Sequence, residues 1–137
     1  MACKFGYHKI VQSLIKCGAD VSFSRRSDNM RPIHAAASSG DLKTVLALIE
    51  HGANPNVTWD PQIAEPGKKI HTNISPIHIA AVNGFAEILE ALLNCGANIE
   101  AKDSNNKTPI IYAASNKDNV AAVQVIFLSF FFILIEI

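Results

Sequence analysis

SPIHIAAVNGFAEILEALLNCG, residues Ser75–Gly96, is the stretch whose reading decides the fold. Ser75 is a good N-cap, and Pro76 suits the first position of a helix, where the missing N–H costs nothing. Ile77, Ala80 and Ala81 follow at helical spacing, and Gly84 stops the run. A second helix comes next, with Ile88, Leu89, Leu92 and Leu93 on one face. Gly96 ends it, as glycine does past a C-terminus. Two short helices joined by a glycine cannot bury their apolar faces alone, so they require neighbours of the same kind.

The neighbours are in the sequence. Pro32-Ile33-His34-Ala35-Ala36-Ala37 matches Pro76-Ile77-His78-Ile79-Ala80-Ala81, and Pro109-Ile110-Ile111-Tyr112-Ala113-Ala114 matches again. Gly6, Gly40 and Gly84 are each followed 12 residues later by Gly-Ala, at Gly18, Gly52 and Gly96. Pro76 to Pro109 spans 33 residues, and Gly18 to Gly52 spans 34. Pro32 to Pro76 spans 44, the same period with an insertion. Asn29, Asn73 and Asn106 each stand three residues before a proline. Asn is the residue after Gly best suited to a left-handed turn position, so all three predict tight turns.

These motifs resemble those of the ankyrin repeat family. The likeness rests on the Thr-Pro-Leu-His-x-Ala-Ala helix start, here Ser75-Pro76-Ile77-His78-Ile79-Ala80-Ala81, on the Gly-Ala-Asp/Asn turn, and on the near-33 period. It implies an all-α fold: an ankyrin-repeat solenoid of stacked helix–turn–helix units with β-turn finger loops. It covers residues 1–128, as repeats of about 1–29, 30–72, 73–106 and 107–128. The first repeat begins inside its first helix, so the chain reads as a piece of a longer array or as a truncated gene product. Arg31 replaces the Ser or Thr before proline, which predicts a lost N-cap costing about 0.5–2 kcal/mol. In the last unit Ile111 replaces His and Lys117 replaces the glycine between the helices. Ala121, Ala122, Val125 and Ile126 align with Ile88, Leu89, Leu92 and Leu93.

Two stretches depart from the repeat. The insertion falls near Thr58–His71, where Pro61 and Pro66-Gly67 predict a long loop, either a tolerated surface insertion or a candidate binding element on a rigid frame. The end, residues 129–137, is an atypical hydrophobic tail in which Ser129 stands at the turn-glycine position before Phe130-Phe131-Phe132. With Val120–Leu128 it forms a nearly uncharged run, 120–137, close to the ~20 residues a spanning helix needs. A membrane-associated adaptor anchored by this segment, a flap on the last repeat, and an aberrant end all remain open.

Composition bounds the chemistry. The chain has 137 residues, 12 basic and 12 acidic, so no net field favours nucleic acid. Cys17 and Cys95 occupy one repeat position, and with Cys3 the count is odd. This predicts free thiols in a reducing compartment, the cytoplasm or nucleus. No secretory signal begins the sequence, so the sequons at Asn56, Asn73 and Asn106 read as coincidence. His34 and His78 are repeat-equivalent and flanked by core positions; the resemblance gives them a structural role, bonding the turn. No zinc-hydrolase pair, phosphate loop or nucleophile elbow is present. No cofactor, metal or small-molecule substrate is expected, and the chain reads as a non-enzyme.

Function therefore reads as a protein–protein interaction module or scaffold. The resemblance places the contacts on finger tips and on the exposed side of the first helices. The finger positions are Arg25, Arg26, Ser27, Asp28 and Met30; Ile74; and Lys102, Ser104, Asn105 and Lys107. The helix positions are Ser38, Ser39, Val82, Asn83, Ser115 and Asn116. Trp59, beside Pro61, is added as an aromatic anchor if exposed, the alternative being that it packs under its loop. Arg25, Arg26 and Arg31, with Lys68 and Lys69, read first as an ordinary solvated surface and second as a docking site for an acidic partner segment.

Overall fold

A computed structural model describes residues 8–61 and 71–136. The half-helix expected before residue 8, Cys3, and insertion residues 62–70 with Lys68 and Lys69 lie outside them. Among the described residues seven helices follow in order: α1 (His8–Lys16), α2 (Pro32–Ser39), α3 (Leu42–Glu50), α4 (Pro76–Val82), α5 (Ala86–Asn94), α6 (Pro109–Ala114) and α7 (Val120–Ile135).

Helices α2, α4 and α6 each begin at proline, and the preceding residue is extended in every case. They pack side by side in one row, while α1, α3, α5 and α7 form a second row behind them. Each α2–α3, α4–α5 and α6–α7 pair is an antiparallel hairpin. The core runs between the rows. Ile33, Ala36, Val45, Leu48, Ile77, Ala80, Ile88, Leu89, Leu92, Ala113, Ala122 and Ile126 form one continuous buried cluster. Alanine at Ala36, Ala80 and Ala113 lets the two rows approach closely. The solenoid that the resemblance implies is the fold.

The turn chemistry follows the sequence. Asn29, Asn73 and Asn106 have φ of 61°, 58° and 60°, the left-handed region. Gly96, at φ 90°, lets Ala97 N–H reach back to Leu92 O at 2.9 Å and close α5. Gly40 does a second job: a Cβ there would stand 2.9 Å from the Phe85 ring of the next unit. Asp41 caps α3, its carboxylate accepting from Lys43 and Thr44 N–H at 3.1 and 3.4 Å and from the Thr44 hydroxyl at 2.6 Å.

Two readings are corrected in the last unit. Asn119, not Asp118, takes the place of Phe85 against the preceding unit's glycine, Gly84, and donates to Ala81 O and Val82 O at 3.2 Å. The helix is thus offset by one residue from the alignment above. Ala122 and Ile126 are buried and Val123 and Val125 half-buried, while Ala121 is exposed. Further on, no turn forms at Ser129. Its hydroxyl bonds Val125 O at 2.8 Å, and α7 continues unbroken to Ile135. The expected 128/129 boundary therefore lies inside a helix. At 16 residues α7 is about 24 Å long. Among the described residues no helix is long and apolar enough to cross a membrane, so the anchoring reading of 120–137 lacks its spanning element.

Candidate functional site

The helix starts hold the fingers through histidine. His78 Nδ1 accepts from Ser75 N–H at 3.2 Å and from the Ser75 hydroxyl at 2.7 Å. Its Nε2 then donates to Ala101 O at 2.9 Å and Lys107 O at 3.1 Å. His34 does the same for the second finger, accepting from Arg31 N–H at 3.0 Å and donating to Val57 O at 3.0 Å. Arg31 supplies no hydroxyl, so the side-chain bond made at Ser75 is absent there. Both imidazoles are buried, and burial pushes their pKa down, which keeps the neutral tautomer that the two bonds need. These two histidines are structural.

The first finger closes on a buried carboxylate. Asp28 accepts from the Arg25 guanidinium, from Met30 N–H at 3.3 Å and from the Trp59 indole N–H at 3.0 Å. Hydrogen bonding to Arg25 holds the carboxyl well below the usual carboxylate range. The third finger repeats the device with other donors. Asp103 is buried and accepts from Asn105 and Lys107 N–H at 2.8 Å, from the Tyr112 hydroxyl at 2.6 Å and from His71 Nδ1 at 2.9 Å. These bonds outweigh desolvation and lower its pKa too.

The second finger is clasped at its base. Trp59 and Ile74 pair as an isolated antiparallel bridge, N–H to O at 2.8 and 2.9 Å. Beside it, Asp60 N–H donates to Asp28 O at 2.9 Å, in the first finger. The returning leg turns the other way: Ser104 N–H donates to Thr72 O at 2.9 Å, and Thr72 N–H to Ser104 Oγ at 3.0 Å. Asn56 adds a further tie, donating to Gly96 O at 3.0 Å and accepting from Asn98 N–H at 2.8 Å. The insertion thus starts and ends in backbone shared with both neighbours, and the three fingers are joined.

This geometry sorts the sequence-predicted contact residues. Arg26, Ser27, Ser38, Val82, Asn83, Lys102, Ser104, Lys107, Ser115 and Asn116 are exposed, and Met30, Ser39 and Asn105 half-exposed. Because α2, α4 and α6 stack in register, Ser38–Ser39, Val82–Asn83 and Ser115–Asn116 form a row along the array. Three expectations are corrected. Asp28 and Ile74 are buried, so neither presents a side chain to a partner. Trp59 is half-buried against Ala37, Ile74 and Ile79 with its N–H spent on Asp28, and is no free anchor. Arg25 is exposed but its guanidinium is paired.

Sequence reasoning missed Asp103, His71 and Tyr112. A signal existed for Asp103 alone: an Asp three residues before the left-handed Asn106 can collect the turn's N–H groups. His71 and Tyr112 come from 32 residues before Asp103 and 9 after it, spacings that no short motif carries. Among the described residues no group of His, Cys, Asp and Glu is placed to hold a metal.

Comparison with known proteins agrees with this architecture. A family profile described as ankyrin repeats (3 copies) matches residues 1–59 and 59–129. BCL-6 corepressor-like protein 1 of Homo sapiens is 36% identical over 64 residues, which is 46% of this chain and 4% of that protein. The chain spans a small fraction of that relative's length. The phased helix pairs, the His-held fingers and the profile match over nearly the whole chain place this protein in the ankyrin repeat family, whose arrays are protein-interaction modules.

Proposed function

We propose that this chain is a non-catalytic binding module for an acidic, extended segment of another protein, acting in the cytoplasm or nucleus. The observation that carries the reading is the sorting of charge at the fingers. Asp28 and Asp103 are turned inward to lock the turns, so among the described residues the exposed Arg26, Lys102 and Lys107 outnumber the exposed acids Asp20 and Glu100 on fingers joined to one another. A rigid frame loses little conformational entropy on binding, so modest contacts suffice. The uncharged row Ser38, Val82, Asn83, Ser115 and Asn116 lies on the neighbouring helix ends and offers hydrogen bonds beside that charge. Likeness to a short segment of a far longer protein fits an array that serves as one binding element.

Calorimetric titration with acidic and basic peptides of equal length tests this. The acidic peptide should bind more tightly, more weakly at high salt, and about tenfold more weakly to the Arg26→Glu/Lys102→Glu double variant. Equal affinity of variant and parent for the acidic peptide rejects the assignment.

A further inference from the structure

Asn83-Gly84, between α4 and α5, is the one place in the chain where glycine follows asparagine. It lies inside the array, since α4 has α2 on one side and α6 on the other. Asparagine is thermolabile. With no side chain on the next residue, the main-chain nitrogen has free access to the asparagine side-chain carbonyl. The fold holds these two groups apart. Asn83 has ψ −5°, which turns the Gly84 nitrogen away from the Asn83 side chain. The Gly84 N–H donates to Ala81 O at 3.2 Å, and Asn83 Nδ2 donates to Ile79 O at 2.8 Å. Gly84 is left-handed, at φ 71°, and packs so closely on the next unit that the Asn119 amide leaves no room for a Cβ. The Asn83 side chain is nonetheless exposed, so water reaches it.

We propose that Asn83-Gly84 is a site of spontaneous deamidation, closed in the folded array and exposed to reaction by local opening of the turn between α4 and α5. In the opened turn the Gly84 nitrogen attacks Asn83 Cγ. The new N–Cγ bond forms, the Cγ–Nδ2 bond breaks, and ammonia leaves with the proton that the Gly84 nitrogen gave up. Water then opens the cyclic imide at either carbonyl and leaves aspartate or isoaspartate at position 83. Net, one water is consumed and one ammonia released, and nothing is oxidised. The isoaspartate form routes the main chain through the former side chain and lengthens it by one methylene just before Gly84. Gly84 is the seat of Asn119, whose Nδ2 donates to Ala81 O and Val82 O at 3.2 Å. A longer link moves that seat away from the end of α4, so Asn119 loses both bonds and the last unit is loosened from the array. The new carboxylate also lies beside the carbonyl end of α4, where negative charge is disfavoured.

Peptide mass spectrometry of the full chain, held at neutral pH with and without guanidinium, tests the proposal. The unfolded chain should convert Asn83 before any other asparagine. It should do so more than about tenfold faster than the folded chain, because only the opened fraction reacts. Guanidinium below the unfolding midpoint should raise the rate in step with that fraction. Asn83→Gln, whose longer side chain closes a larger ring slowly, should leave this peptide unchanged over the same time. The isoaspartate form, separated by chromatography, should lose amide-exchange protection at residues 120–126 while residues 33–48 keep theirs. A folded chain that converts as fast as the unfolded one, another asparagine that converts first on unfolding, or an isoaspartate form protected like the parent overturns it.

Discussion

Helices α5 and α7 occupy the same place in successive units and obey different rules. α5 has 9 residues, stops at a left-handed glycine and buries Ile88, Leu89 and Leu92. α7 has 16 residues, passes the equivalent point as a helix and buries only Ala122 and Ile126. Hydrophobicity does not separate them, since α7 is the more apolar. Two other things do. A stop needs a residue that accepts positive φ, and Phe130 stands near where Gly96 does the work in α5. Burial needs helices on both sides, and α5 is covered by α3 and α7 while α7, among the described residues, packs chiefly on α5 and α6. In a repeat protein the unit's core is half made of its neighbours.

The largest effect that would break this contrast is expected at Leu92, which is fully buried. Leu92→Ala should cost about 2–5 kcal/mol in urea unfolding. Phe132→Ala, in the exposed part of α7, should cost less than about 0.5 kcal/mol. Comparable losses would mean that the outer half of α7 is packed as firmly as α5.

Next comes the stop itself. Gly96→Ala places a Cβ in the left-handed region, where nothing lies within 4 Å, so conformational strain alone acts. It should cost about 1–2 kcal/mol. The reciprocal change, Phe130→Gly, should unravel α7 beyond Ser129, read as lost amide-exchange protection at residues 131–135.

A third test separates the units by pH. His34 and His78 have depressed pKa values in the fold because burial disfavours the imidazolium. Their contribution to stability is complete above the ordinary imidazole value of about 6.5. It is lost as pH falls below that value through the folded-state pKa, since the unfolded chain then binds more protons. The urea midpoint should fall between pH 7 and pH 5, and His78→Gln should shallow that slope at some cost in stability at pH 7. An unchanged slope would remove His78 from the titration.

The smallest expected effect is at Ile111, which stands where His34 and His78 stand in the earlier units. Ile111 is exposed, and among the described residues no later finger carbonyl is there to accept a bond. Ile111→His should therefore change stability by less than about 0.5 kcal/mol, whereas His78→Ala takes the donor from the Ala101 carbonyl and one of two donors from the Lys107 carbonyl, and should cost about 1–3 kcal/mol. The gap between these two values measures what a following finger contributes.

The sequence by itself determined the period, the helix pairs, the core face of α4 and α5 and the left-handed Asn29, Asn73 and Asn106. Those features are local: an N-cap, a proline, a glycine stop and an apolar stripe all act within a turn or two of helix. The array follows from them because identical units have one way to bury their shared faces. Tertiary structure alone decided which acids turn inward, which of the finger residues remain available, and where the last unit begins. Asp28 reaches Trp59 across 31 residues and Asp103 reaches His71 across 32. A charged residue and its burial partner at that separation leave no periodic mark in the chain. Only stacking brings them to hydrogen-bond distance, and it is stacking too that makes Phe127 exposed where Leu93 is half-covered.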